Sequence, residues 1–255
     1  MMIYNVTSSR GSSRCSVGPS LWIGEVVYDH LLHDLEVYTI TQPGASYEQL
    51  ADAAISEHYA RGCPDHSQVY FLAGYCDAVY RVQSNDAMGR YEEVGYWEDE
   101  TIFLERMIST IMDVDERLKR EGLRPVFATI PPGELLRWNT MRLAKGYTYE
   151  LRYHDSYSQM QERLNRDITT LNGYIKKVNI ANGVYTPYIA GTVISTNKSA
   201  DHSVVFSHHK LIDGVHASNN LLVTWAKKMA GAINKNVASA LPPLVPSLSA
   251  NMIVY

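Results

Sequence analysis

The segment from Gln68 to Gly74, QVYFLAG, decides the predicted fold. Apolar side chains fall on both faces of this segment. In a strand with one solvent-exposed face, apolar and polar residues would alternate. Such a strand is typical of the centre of a parallel sheet that is covered by helices on both sides. The segment therefore predicts an α/β protein with this strand in the interior of its sheet.

Strands and helices alternate along the chain on either side of this segment. Further strands are predicted at residues 2–6, 36–40, 125–130 and 203–206. Helices with apolar residues at the helical period are predicted at residues 20–35, 46–61, 97–121, 157–181 and 218–236. This alternation favours a parallel sheet with helices on both faces. No internal repeat or interior linker is visible, so we predict one helix-rich domain over residues 1–240 and an extended arm over 241–255.

Composition and charge argue against several function classes. The 255 residues are 45% hydrophobic and carry a net charge of -4. There is no basic excess to indicate a nucleic acid or an anionic membrane as a partner. No run of about 18 apolar residues predicts a transmembrane helix, and the first residues do not resemble a signal peptide. We expect no nucleic-acid partner, no membrane partner and no cofactor.

The cysteines are odd in number: Cys15, Cys63 and Cys76. Their spacing does not fit a zinc site, and they cannot all pair within one chain. We therefore expect no metal. Two alternatives stay open for the thiols: they are buried and free, or at least one of them forms a disulfide between chains.

The last fifteen residues, LPPLVPSLSANMIVY, differ from the rest of the chain. Their prolines favour an extended conformation over a helix. The apolar end, Met252, Ile253, Val254 and Tyr255, would be a sticky edge unless its own domain or a neighbouring molecule covers it. The chain also has 18 Tyr and only 4 Phe, which suits extensive contact with other protein surfaces.

A candidate acid–base pair lies in KLIDGVHASN, residues 210–219. Asp213 and His216 stand three residues apart in a turn that precedes the last predicted helix. In open parallel sheets the chemistry lies on loops of this kind, at the carboxyl ends of the strands. The pair belongs either to a hydrolase triad or to a loop that is held together by a side-chain hydrogen bond.

This loop, with VYFLAGYCDAVYR (69–81) and FATIPPGELLRWN (127–139), resembles the SGNH (GDSL-like) hydrolases. The resemblance extends to about residue 236 and implies a flavodoxin-like three-layer α/β/α fold with serine esterase chemistry. It implies that His216 is the base and Asp213 the carboxylate that orients it. It also implies a nucleophile after the first strand, for which Ser9 is the first candidate and Ser8 the second. The oxyanion positions that it implies are Gly44, Gly74 and Cys76.

Two of the family's blocks depart from its pattern. Residues 74–77 read GYCD where the family has Gly-x-Asn-Asp, so that Cys76 replaces the amide donor. A thiol is a weak donor, and losing one oxyanion donor typically slows such reactions by about a hundred- to a thousandfold. Residues 7–9 read TSS where the family has Gly-Asp-Ser. These departures favour a scaffold whose chemistry has decayed.

As a whole the chain also resembles the occlusion-body matrix proteins (polyhedrins) of nudiviruses. The tail, the tyrosines and the odd cysteine count carry this resemblance, rather than a motif. It implies self-assembly into a crystalline matrix that encases virions, with interchain disulfides and exchanged arms. The acidic segment at 91–100 is then a candidate contact, or else a solvated loop. We expect this structural function as the primary one, and an active serine esterase as the alternative.

Overall fold

The computed structural model describes residues 2–7, 27–32, 35–41, 45–62, 67–74, 77, 79–83, 91–96, 100–144, 157–196 and 204–240. In these ranges one parallel sheet has the strand order β2-β1-β3-β6. Its strands are β1 (Met2–Thr7), β2 (Glu36–Thr41), β3 (Gln68–Leu72) and β6 (Arg124–Phe127). The segment QVYFLAG thus contains an interior strand, β3, which lies between β1 and β6 as predicted.

Helices connect and cover these strands. They are α1 (Tyr47–Arg61), α2 (Glu100–Arg120), α3 (Leu135–Ala144), α4 (Tyr157–Ala181) and α5 (Asn219–Ala240). The start of α1 is a capping box: the Ser46 hydroxyl accepts from the Gln49 N–H, and the Gln49 side chain accepts from the Ser46 N–H. Local sequence therefore fixes where this helix begins.

The two faces of the sheet carry separate cores. Val69 and Phe71 of β3 point into one core, which α1, α2 and α4 cover. Tyr70 and Leu72, the alternate residues, point into the other, where α5 packs. The fold is therefore a three-layer α/β/α arrangement, which confirms the predicted α/β class.

Two antiparallel hairpins lie outside this sheet and differ from the prediction. β4 (Val79–Gln83) pairs with β5 (Tyr91–Tyr96), so most of the acidic segment at 91–100, for which a contact or a solvated loop was expected, forms a strand. Whether it makes a contact with another copy stays a prediction. β7 (Ile194–Thr196) pairs with β8 (Val204–Phe206). The last predicted strand therefore belongs to a hairpin and not to the parallel sheet.

Several predicted boundaries also shift. The helix predicted at 97–121 is described as α2 from Glu100, and the strand predicted at 125–130 ends at Phe127, although the next three residues stay buried. Helix α3 was not predicted. The helix predicted at 20–35 lies largely outside the described residues, as does the arm at 241–255. None of the described helices is long and apolar enough to cross a bilayer.

Candidate active site

The site lies at the edge of the sheet where the parallel strands end. β1 ends at Thr7, which pairs with Leu72, the last residue of β3. The chain that leaves β3 meets the chain that leaves β6, because a Cβ on Gly74 would lie 2.5 Å from Ile130 Cδ1. The chain that follows β3 and the chain that follows β6 therefore approach each other at this edge, where β1 also ends, as expected for an open α/β sheet.

The loop at 211–217 holds the candidate acid–base pair in a closed turn. An isolated bridge joins Leu211 to Ala217, and the Ile212 N–H donates to the His216 carbonyl at 2.7 Å. Inside the turn, Asp213 Oδ1 accepts from the Val215 N–H at 3.1 Å and from the His216 N–H at 2.8 Å. The spacing of three residues in Asp-x-x-His therefore lets one carboxylate bond both the backbone and the side chain of the histidine.

The side chains of this pair are in direct contact. His216 Nδ1 lies 2.7 Å from Asp213 Oδ2. Burial by itself would raise the pKa of Asp213, but hydrogen bonds from the ring and backbone of His216, together with its charge, lower that pKa to about 2. Because the ionised carboxylate only accepts, Nδ1 must carry the proton.

The outer nitrogen of the ring, Nε2, is then free to accept a proton. It is buried, and it has no hydrogen-bond partner among the described parts of the chain. Buried polar atoms in proteins are nearly always paired. An imidazole that is oriented through Nδ1 and whose Nε2 has no partner in the described residues is arranged as a general base for a nucleophile.

The start of α3 borders the histidine. The Trp138 ring lies 5.7 Å from the His216 ring, centroid to centroid, and is tilted by 55°. The Glu134 N–H donates to the Gly214 carbonyl at 2.7 Å. No role is predicted from sequence for Glu134 or Trp138, although both lie in FATIPPGELLRWN, one of the segments that carry the resemblance.

The predicted oxyanion block after β3 is described in part. Gly74 is buried with φ of 107°, a left-handed conformation that L side chains rarely adopt. Nearby, the Tyr47 hydroxyl donates to the Ala73 carbonyl at 3.2 Å, and the Tyr47 N–H donates to Asp77 Oδ1 at 3.2 Å. Tyr47 thus links both ends of this block to the start of α1.

Asp77 differs from Asp213 in its ionisation. Burial raises the pKa of Asp77 to about 7, although the Tyr47 N–H and the Arg106 charge act to lower it. No residue in the described ranges pairs with Asp77 Oδ2. Asp77 ends the segment GYCD at 74–77, but no sequence pattern indicates how few donors its carboxyl would have.

The remaining candidates lie outside the described residues. These are Ser8, Ser9, Gly44, Cys15, Cys63, Cys76, Met252, Ile253, Val254 and Tyr255. Of the predicted site residues, the structure therefore describes Asp213, His216 and Gly74, and it brings the first two together. Within the part of the chain that is described, no cluster of three or more His, Cys, Asp or Glu side chains could hold a metal ion.

Solved structures with this fold are ester hydrolases by their descriptions. A member of the lipolytic G-D-S-L family from Veillonella parvula has a TM-score of 0.55 at 12% identity, and the match covers 92% of this chain and 98% of that one. The M. smegmatis aryl esterase has a TM-score of 0.53 at 12% identity, with 94% and 100% covered. A GDSL-like lipase from Bacteroides thetaiotaomicron has a TM-score of 0.51 at 13% identity, with 94% and 89% covered.

These likenesses establish the fold alone, because the identities are low. No protein-family model matches the chain, and no curated protein matches it in sequence.

Proposed function

We propose that this protein hydrolyses carboxylic esters through a serine nucleophile. The observation that carries the proposal is the Asp213–His216 pair, with Nδ1 held at 2.7 Å and a buried Nε2 that lacks a partner in the described ranges. The related fold of esterases and lipases supports the same proposal.

In the proposed reaction, His216 Nε2 takes the proton of the Ser9 hydroxyl as Ser9 Oγ attacks the ester carbonyl carbon. Collapse of the tetrahedral intermediate breaks the bond to the alcohol oxygen, which receives the proton from His216. Water then attacks the acyl-serine with the same histidine as base and releases the acid. Asp213 stays ionised throughout and stabilises the imidazolium.

The oxyanion of the intermediate requires donors. The proposal assigns this role to the backbone N–H groups of Ser9 and Gly44, with Cys76 where the family has an amide side chain. Because a thiol donates weakly, we expect turnover about a hundred- to a thousandfold below that of a site with all its donors. Cys76→Asn should therefore raise the rate.

Hydrolysis of p-nitrophenyl acetate by the full chain tests the proposal. We expect slow turnover that Ser9→Ala and His216→Gln each abolish, with Ser8→Ala as the matched control that keeps it. Loss of turnover in Ser8→Ala but not in Ser9→Ala would identify Ser8 as the nucleophile. A rate that neither serine nor His216 affects would refute the esterase proposal.

A second candidate function is the structural one, an intracellular matrix of the viral occlusion-body kind that assembles from copies of this chain around virions. The observation that favours it is the replacement of an amide donor by Cys76, beside an odd cysteine count and a Pro-rich apolar arm. Non-reducing gels of assembled material should then show disulfide-linked dimers. Deleting residues 241–255 should abolish assembly and leave a folded monomer; assembly without the arm would count against this candidate.

A further inference from the structure

We infer that the turn that begins α3, residues 134–138, is the positioning element that holds the His216 ring; this role rests on the proposed esterase function. The turn follows β6 at the sheet edge where the acid–base loop lies. It touches that loop twice, once through its backbone and once through an aromatic ring. Asp213 restrains only one end of the imidazole, so a second restraint has a physical purpose.

The backbone contact leaves no room for a side chain. The Glu134 N–H donates to the Gly214 carbonyl at 2.7 Å. Gly214 has φ of 89°, and a Cβ there would lie 2.4 Å from the Glu134 carbonyl oxygen and 3.0 Å from the Trp138 nitrogen. The backbone of Gly214 therefore packs directly on the backbone of Glu134 and Trp138, which fixes the loop against the first turn of α3.

The ring contact lies in the same helical turn. The backbone N–H of Trp138 donates to the Glu134 carbonyl at 3.0 Å, and the Trp138 side chain is buried. Its ring stands beside the His216 ring at 5.7 Å. An imidazole that is bonded only through Nδ1 can rock about that bond, and a packed indole on one side limits the motion of Nε2. Orientation of this kind is what a general base requires.

A long helix anchors the turn from behind. The Leu135 N–H donates to Gln161 Oε1 at 2.7 Å, and Gln161 Nε2 donates to the Gly133 carbonyl at 2.6 Å. Gln161 Nε2 also donates to Asn165 Oδ1 at 2.9 Å. Both anchoring amides lie on α4, so contacts run without interruption from α4 through the turn to His216.

The test compares Trp138→Ala with Trp138→Phe in the full chain. The ¹⁵N shifts of the His216 ring, assigned with His216→Gln, report which nitrogen carries the proton. We expect Trp138→Ala to broaden and shift the Nε2 signal, because the ring rocks about its Nδ1 bond while Asp213 keeps the proton on Nδ1. The same variant should lower kcat by about tenfold to a hundredfold with little change in KM. Trp138→Phe should restore both, because it keeps an aromatic ring beside the imidazole.

The control is Trp225→Ala, since Trp225 is equally buried and donates its indole N–H to Thr192 Oγ1 at 2.8 Å. It should lower stability but leave the His216 shifts and kcat of the folded protein unchanged. The inference is overturned if Trp138→Ala keeps wild-type ring shifts, or if Trp225→Ala alters them as strongly. If the wild type hydrolyses no ester, the proposed function fails, and the ring shifts still decide the positioning role.

Discussion

Two aspartates at the same edge of the sheet are buried to a similar extent but ionise at very different pH. Asp213 is 6% exposed and Asp77 is 8% exposed. Asp213 accepts two backbone N–H groups on one oxygen and the His216 ring on the other. Asp77 accepts the Tyr47 N–H on one oxygen, and within the described residues its other oxygen has no partner.

The balance between hydrogen-bond donors and burial separates the two carboxyls. The pKa of Asp213 falls to about 2 although burial opposes that change, and burial carries the pKa of Asp77 up to about 7. Only Asp213 is a fixed negative charge at neutral pH. Asp213 is therefore the carboxylate that can orient an imidazole and stabilise its positive charge. Asp77 is a buried acid, and its ionisation is opposed by burial.

The largest effect should come from the same substitution made at each site. Asp213→Asn removes the fixed acceptor of the Nδ1 proton, so the ring can adopt the wrong tautomer, and we expect ester hydrolysis to fall by about ten-thousandfold. Asp77→Asn should change the rate only a few-fold. Steady-state kinetics with p-nitrophenyl acetate measures both. Equal losses in the two variants would erase the distinction between them.

The next effect compares the glycines beside the two aspartates. Gly214 packs on the backbone of Glu134, which cannot move aside, so we expect Gly214→Ala to cost about 3 kcal/mol or more. A Cβ on Gly74 meets the ends of the Ile130 and Tyr47 side chains, which can shift, so Gly74→Ala should cost about 1–2 kcal/mol.

Urea unfolding of both glycine variants measures these costs. Gly173→Ala is the control: Gly173 lies within α4 with no atom within 4 Å of an added Cβ, so we expect a gain of about 0.5–1 kcal/mol. A larger loss in Gly74→Ala than in Gly214→Ala would contradict the packing argument.

A smaller effect should appear in the pH dependence of stability. The pKa of Asp77 is raised from 3.8 to about 7 on folding, so the folded protein binds the proton more tightly and loses stability as pH rises between these values. Asp77→Asn removes that loss, and relative to wild type it should gain on the order of 1–2 kcal/mol from pH 4 to pH 5.5. Urea midpoints at the two pH values measure the gain. A wild-type–variant difference that does not vary with pH would show that Asp77 is ionised throughout.

The smallest effect is the opposite trend for Asp213 in acid. Its pKa is lower in the folded state than the ordinary 3.8, so its contribution to stability is present above that value and lost as pH falls towards 2. Between pH 5 and pH 2, Asp213→Asn should therefore lose on the order of 1 kcal/mol less than wild type. Thermal melts in acid would reveal the difference, and parallel curves would exclude it.

Periodicity predicted the elements that carry the most burial. The interior strand was predictable because four of its five residues, Val69 to Leu72, carry apolar or aromatic side chains that can be buried on both faces. Helix α4 was predicted with its observed bounds, since its apolar stripe runs unbroken over residues 157–181. The Asp-x-x-His motif could be identified from sequence because its two residues are only three positions apart. That spacing is enough for the Asp213 carboxylate to contact the His216 ring.

Other features depend on contacts that sequence spacing does not encode. Helix α3 is only 10 residues long and follows two prolines without a Ser, Thr, Asp or Asn before it, so no start signal marks it. The contact of Trp138 with His216 joins separate segments that only the packing of α3 on the acid–base loop brings together. The raised pKa of Asp77 depends on its burial and on Oδ2 having no donor among the described residues, and no sequence pattern predicts either.

The most direct test of the central claim is labelling of the full chain by a fluorophosphonate, a reagent that captures serines activated by a neighbouring base. Peptide mass spectrometry should find one adduct on the segment that contains Ser8 and Ser9. The adduct should be present in Asp77→Asn and absent in His216→Gln. No adduct in the wild type, or an adduct that persists without His216, would contradict the claim that this histidine activates a serine.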